Sequence, residues 1–220
     1  MKVLVIAPHA DDEILGVGGT IAKRALEGHE VTVCVVTKGC EPIFREEYAA
    51  NVQKECRKAD AFLGVKETIF LDFPAAMLEE VPRYRLNDGI LSVIRTVKPD
   101  EVYIPHRGDM QIDHKMVTDA AMVALRPRYE HRVSRVYCYE TLSETGWDIP
   151  NTVNEFIPNV YEDLTDTIDR KLKALSFFES QLAPFPAARS VEAVEALAKF
   201  RGATVGVRAA EAFMLVREIK

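Results

Sequence analysis

Residues 1–38 read MKVLVIAPHADDEILGVGGTIAKRALEGHEVTVCVVTK, and their order decides the fold. Val3 to Ala7 is a short apolar, largely branched run. A turn follows, then a stretch of helical period from Ile14 to Leu26 that stops at Gly28, then a second branched run from Val31 to Thr37. A strand, a crossover helix and a second strand form the unit from which parallel sheets are built. The rhythm continues downstream. Glu46 to Leu63 predicts a helix ended by Gly64, Thr68 to Asp72 a strand, Asp88 to Val97 a helix closed by Pro99, and Val102 to Pro105 a strand. Asp113 to Leu125 is helical in period, and Arg135 to Glu140 predicts another strand. The expected fold is α/β, a doubly wound, mostly parallel sheet flanked by helices in a three-layer sandwich. From Asp163 onward the pattern turns helical, over Thr165 to Gln181 and Val191 to Arg201, split by a turn at Pro184 to Pro186. The tail is therefore expected to pack helices on the core.

Neither an internal repeat nor a linker interrupts the 220 residues, which predicts one domain, 1–220, with a core over 1–140 and a C-terminal extension over 141–220. A hydrophobic fraction of 48% with 28% charged residues is that of an ordinary globular protein, and it excludes disorder, a fibrous repeat and a membrane-inserted chain. The formal net charge is −6 and the basic residues are scattered, so no positive stripe exists for nucleic acid. The opening apolar run is too short for a signal-peptide core and meets His9 and acids at once, which predicts a cytoplasmic location. Cys34, Cys40, Cys56 and Cys138 lack any Cys-x-x-Cys spacing and are expected to be free thiols.

Two loops carry the chemistry. Pro8-His9-Ala10-Asp11-Asp12-Glu13 directly follows the first strand, at the carboxyl edge where open parallel sheets place ligands. Three consecutive acids repel one another unless a cation or hydrogen bonds compensate. The second loop, His106-Arg107-Gly108-Asp109-Met110-Gln111-Ile112-Asp113-His114, follows the strand at Val102 and can meet the first in space. Imidazole nitrogen with carboxylate oxygen suits zinc, and three protein ligands leave a fourth position for water. A free carboxylate next to a ligand could then act as base. Neighbouring residues of an extended loop point in different directions, so Asp11 and Asp12 divide these two tasks, and either assignment satisfies the pattern.

The two loops resemble the His-Pro-Asp-Asp-Glu and Asp-x-His-x-Asp-His signatures of the PIG-L/LmbE family of N-acetylglucosamine deacetylases, which share a Rossmann-like fold. The resemblance extends through Leu63-Gly64-Val65, Tyr139-Glu140-Thr141 with Trp147, Lys171 to Ala174, Ser180-Gln181, Arg189-Ser190, Arg201-Gly202 and Ala210 to Phe213. It implies zinc, or another divalent metal such as Fe2+, on His9, Asp12 and His114. It implies a general base at Asp11 and a supporting carboxylate at Asp113, beside the metal histidine. It also implies an N-acetyl amino sugar or its conjugate as substrate, acetate as product, and a homo-oligomer, a trimer or hexamer.

The sequence departs from the family pattern at three places. Ala10 stands for the usual Pro and removes no functional group. Gln111 occupies a position where many members have His; glutamine donates a hydrogen bond but no proton, which leaves Asp11 or His106 to protonate the leaving amine. Many relatives grip the substrate with an Arg in the helix before Leu-Gly-Val, whereas here the region is Asn51-Val52-Gln53, so Arg45 and Arg107 are the candidate replacements. Asp109 is either part of the site or a turn former after Gly108. Arg189 and Arg201 are expected to pack or to pair with Glu211 across a subunit contact, although binding an anionic substrate group is the alternative. Gly16-Val17-Gly18-Gly19 has the wrong spacing for a dinucleotide loop and reads as a packing surface. His29 and His131 read as surface residues. Two other functions compete: hydrolysis of a different small amide or acyl conjugate, and noncatalytic sugar binding.

Overall fold

The computed structural model describes residues 1–127 and 131–220. Seven strands, β1 (Lys2–Ala7), β2 (Glu30–Lys38), β3 (Glu67–Pro74), β4 (Glu101–Pro105), β5 (Arg135–Tyr139), β6 (Val160–Asp163) and β7 (Ala210–Glu218), form one sheet in the order β3-β2-β1-β4-β5-β7-β6. From β3 to β5 neighbouring strands run parallel, while β7 lies antiparallel to both β5 and β6. The helices are α1 (Asp12–Leu26), α2 (Glu46–Leu63), α3 (Arg83–Val97), α4 (Ile112–Ala124), α5 (Ile168–Leu175) and α6 (Val191–Val205).

Alternation along β1 builds the three layers. Val3 and Val5 pack with Val17 of α1, Leu63 of α2 and Ala174 of α5. Leu4 and Ile6 point the other way, into Ile90 of α3 and Val117 of α4. Successive side chains of a strand leave opposite faces, so a strand covered on both sides must be apolar throughout, as the first apolar run is. Because β1 pairs with β2 on one edge and β4 on the other, the strand order reverses there. The loops after β1 and β4 consequently open side by side at the carboxyl edge, the position at which doubly wound sheets hold their ligands.

The C-terminal part departs from the expectation of helices packed on a core, because it also supplies β6 and β7 to the sheet. The helix expected over Thr165 to Gln181 is shorter, with α5 ending at Leu175, and α3 begins earlier than expected, at Arg83. The strand in Ala210 to Phe213 was hidden by Glu211, a buried acid in the middle of an apolar run. Its carboxylate accepts from the backbone N–H of Gly19 and Thr20, from the Thr20 hydroxyl and from Lys171 Nζ at 2.6 Å. Lys171 Nζ also donates to the Leu15 carbonyl. Together the pair ties β7 and α5 to the middle of α1. Lys171→Met strands the Glu211 carboxylate and is expected to cost about 3–5 kcal/mol of stability, measurable by urea unfolding.

Close approach also explains the α1 glycines. A Cβ on Gly16 would stand 2.2 Å from the Tyr139 ring, and one on Gly19 would stand 2.4 Å from Leu164. The Gly-rich stretch is a packing surface against β5 and the C-terminal part. Among the described residues no helix is long and apolar enough to cross a membrane. The four cysteines are free thiols.

Candidate metal centre and substrate pocket

His9 lies in the turn after β1, Asp12 opens α1, and His114 sits in the first turn of α4 after the β4 loop. His9 Nδ1 and His114 Nε2 each lie 3.2 Å from Asp12 Oδ2. The opposite nitrogen of each ring is held by a second carboxylate: His9 Nε2 by Asp113 Oδ2 at 3.0 Å, and His114 Nδ1 by Asp109 Oδ2 at 2.8 Å. These carboxylates are themselves fixed, Asp113 by the Ala76 N–H and Asp109 by the Thr145 hydroxyl. Asp113 therefore braces His9, across the gap between the loops, and not its neighbour His114. Asp109 braces His114 and is more than a turn former. An imidazole tied at one nitrogen presents the other in a fixed direction, the arrangement found around metal-bound histidines.

The electrostatics fit a cation. Burial disfavours charge on both imidazoles, yet the surrounding carboxylates outweigh it, raising His9 to about 9 and His114 to about 10. Burial alone would raise Asp12, but the adjacent His114 and His9 hold it well below the usual carboxylate range. His114 Nε2 and Asp12 Oδ1 are buried without a hydrogen-bond partner. Donor atoms of His9, Asp12 and His114 all lie within 4.8 Å of one another. Orphaned buried donors of the imidazole and carboxylate type are what a divalent ion such as zinc would satisfy.

Asp11 is buried beside this group, and its backbone is strained, with φ at 128° in a region non-glycine residues avoid. Hydrogen bonds impose that conformation. Glu13 Oε2 accepts the Asp11 N–H, and the Asp11 carbonyl accepts from Ile14 and Leu15 at the start of α1. Glu13 is in turn held by Cys56, whose Sγ lies 3.5 Å from Oε1, within a buried group completed by Asp60 and Thr68. Burial pushes both the Glu13 and Asp60 carboxyls up, and their contacts with Cys56 and Thr68 link this second acidic cluster to the Asp11 N–H. Burial, then the charge of Asp12, raises Asp11 to about 7, with Arg189 pulling the other way.

A cavity of about 200 Å³ opens over Asp11 and His9. Gln111 lines it, as do Phe44, Tyr48, Gln53, Gln181 and Arg189, and the Phe44 and Tyr48 rings stack at 6.1 Å. The other expected substrate contacts lie outside its lining. Arg107 is exposed and pairs with Asp119 at 2.7 Å, and Arg45 is an exposed residue just before α2. His106 is buried against Phe156, with Nε2 3.1 Å from the Asn154 carbonyl. Arg201 pairs with Glu140, and Glu211 with Lys171, both within the chain. Arg189, expected to pack or to pair with Glu211, with anionic-substrate binding as the alternative, instead faces Asp11 and Glu144 in the pocket lining. Arg189 lies in the connection before α6, far from both loops in the chain, and the resemblance at Arg189-Ser190 marks the residue without placing it at the pocket. A larger cleft of about 580 Å³ between Gly108, Asp148, Phe156 and Arg201 holds none of the metal donor set.

A fold with two His/Asp loops at its switch point defines a class, and comparison with known proteins defines the family within it. The model described as "PIG-L: GlcNAc-PI de-N-acetylase" matches residues 4–125, more than half of the chain, which belongs to this family. The chain is 28% identical over 203 residues to a diacetylchitobiose deacetylase of Thermococcus kodakarensis, covering 82% of this chain and 70% of that protein. It is 29% identical over 172 residues to the uncharacterized deacetylase YaiS of Escherichia coli, covering 74% and 82%. Among solved structures, N,N'-diacetylchitobiose deacetylase from Pyrococcus horikoshii superposes with a TM-score of 0.78 at 27% identity, over 98% of this chain and 83% of that one.

Proposed function

We propose that this chain hydrolyses the acetamide of an N-acetylated amino sugar, an N-acetylglucosamine-type unit or conjugate, to acetate and the free amine. In this reading His9, Asp12 and His114 hold zinc or another divalent ion such as Fe2+. The observation that carries it is the meeting of His9 Nδ1 and His114 Nε2 at one Asp12 oxygen, next to Asp11 Oδ2, which accepts no hydrogen bond. When bound, such an ion polarises a carbonyl and acidifies nearby water.

The chain's own residues do the rest. Asp113 and Asp109 hold the imidazoles in orientation. Asp11 Oδ2 takes a proton from the attacking water and returns it to the leaving nitrogen, because Gln111 has no proton to give at neutral pH. His106, turned toward Asn154, is no substitute donor. The 200 Å³ cavity is below the usual 300–1,000 Å³ of ligand pockets, which favours a single sugar unit with its conjugate outside. Phe44 and Tyr48 offer the apolar ring face a wall, and Gln53 and Gln181 offer polar groups to hydroxyls. The similarity to diacetylchitobiose deacetylases supports this substrate class. Residues 1–220 act as one unit, since Arg189 of the C-terminal extension lines the pocket beside Asp11. A cytoplasmic homo-oligomer acting on small molecules completes the proposal.

Acetate release from N-acetylglucosamine, its nucleotide-linked form and N,N'-diacetylchitobiose tests the reading. Release is expected to stop on chelation and return with zinc. If the zinc-replete protein leaves every acetylated sugar intact but cleaves another acylated amine, the substrate class is that amine.

A further inference from the structure

Arg189 is the least explained cation of the pocket. Its backbone is fixed on both sides, because its carbonyl accepts from the Ala183 N–H and the next residue, Ser190, caps α6 through its hydroxyl. The side chain is thereby carried over Asp11, with Nε 3.4 Å from Asp11 Oδ2 and a terminal nitrogen 3.7 Å from Glu144 Oε1. Neither Arg189 Nε nor Asp11 Oδ2 makes a hydrogen bond, although both are buried. A guanidinium that faces a carboxylate without bonding to it has a donor to spare. The other cation lining the cavity, Lys38, is engaged by Glu46 at 2.6 Å.

Amide hydrolysis needs a donor at one further point. As water attacks the acyl carbon, the carbonyl π electrons move onto oxygen, and that charge requires fixed donors. Gln111 is the pocket's neutral candidate, whereas a charged donor forms hydrogen bonds about twice as strong. Resting on the deacetylase reading, we propose that Arg189 is a catalytic residue whose guanidinium binds the acyl oxygen of the scissile amide and stabilises the negative charge that develops there. The water oxygen bonds to the acyl carbon while Asp11 accepts the water proton. The carbon–nitrogen bond then breaks, the nitrogen takes that proton, and acetate and amine leave. Arg189 keeps its charge and its protons throughout. Its pairing with Asp11 before substrate arrives holds both groups near the reacting atoms.

The test uses Arg189→Ala, Arg189→Met and Arg189→Lys in the zinc-loaded full chain, with an N-acetyl sugar and its N-trifluoroacetyl analogue. Expected is a fall in kcat on the acetyl substrate of about 10²–10³ for Arg189→Met, with KM nearly constant and bound zinc unchanged. The trifluoroacetyl substrate is expected to lose much less, because the fluorines already stabilise the oxyanion. Guanidinium ion is expected to restore part of the activity of Arg189→Ala. Equal losses on both substrates without guanidinium rescue, or a raised KM with unchanged kcat, would overturn the assignment. Should the neutral variants fail to fold, the ratio of the two substrates for Arg189→Lys decides in the same way. Wild type that releases no acyl group from any acylated amine would overturn the deacetylase reading and this assignment with it; active wild type with unaffected Arg189 variants would overturn this assignment alone.

Discussion

Asp11→Asn is expected to lower kcat for acetate release by about 10²–10⁴-fold while the protein keeps its bound ion, because in the proposed reading the substitution removes the general base and no ligand. The environment of Asp11 suits that task. Burial, then the charge of Asp12, raises its carboxyl to about 7, so it can both accept and return a proton near neutral pH. The sign of the pH dependence follows. The protonated carboxyl cannot accept, so wild-type kcat rises with pH as Asp11 ionises, at or below the value of about 7 that holds without the ion, because a bound cation favours the carboxylate. Residual activity of Asp11→Asn should lack that rise. Steady-state kinetics against pH, with zinc measured by atomic emission, check both points. Undiminished turnover by Asp11→Asn would exclude the carboxylate as base.

Zinc is expected to raise the melting temperature, and by more at pH 9 than at pH 6.5. In the ion-free protein His9 is raised to about 9 and His114 to about 10, against an unfolded value near 6.5. A raised folded pKa gives stability that is complete below about 6.5 and is lost as pH rises through 9 and 10. The ion-free protein therefore weakens over that window. A metal must displace the same protons, since histidine ligates in its neutral form, so zinc binds more tightly as pH rises. At 100 times the dissociation constant the gain is about 2.7 kcal/mol, which for a chain of this length is roughly 5–10 °C. Calorimetry of zinc-loaded and chelated protein at the two pH values measures the gap, and His114→Ala should abolish it. A gap that narrows with pH, or that survives in His114→Ala, would rule out these histidines as ligands.

Much of this site was legible because its parts are local. The His9 to Glu13 and Asp109 to His114 loops each follow a strand that two-fold alternation and branched residues announce, and parallel connections send both loops to one edge. Pairings made across the fold were not legible. Asp113 could be read as supporting its neighbour His114, but the crossing of the loops gives it to His9, while Asp109 reaches His114. Arg45 and Arg107 were reasonable cations by position in the chain. Neither lines the pocket, although Phe44 next to Arg45 does, and Arg107 is spent on Asp119.

The parallel α/β core, the edge at which ligands gather and the residue types that converge there can all be read from local segments, because strand period and loop placement are properties of short stretches. Pairings across the fold fixed the rest. Glu211 could be recognised as part of a strand only once Lys171 and the α1 backbone were seen to satisfy its charge. Arg189 could be placed over Asp11 only once the tail was folded back across the sheet. A buried charge is tolerated for the sake of partners distant in the chain, and no local pattern of residues records who those partners are.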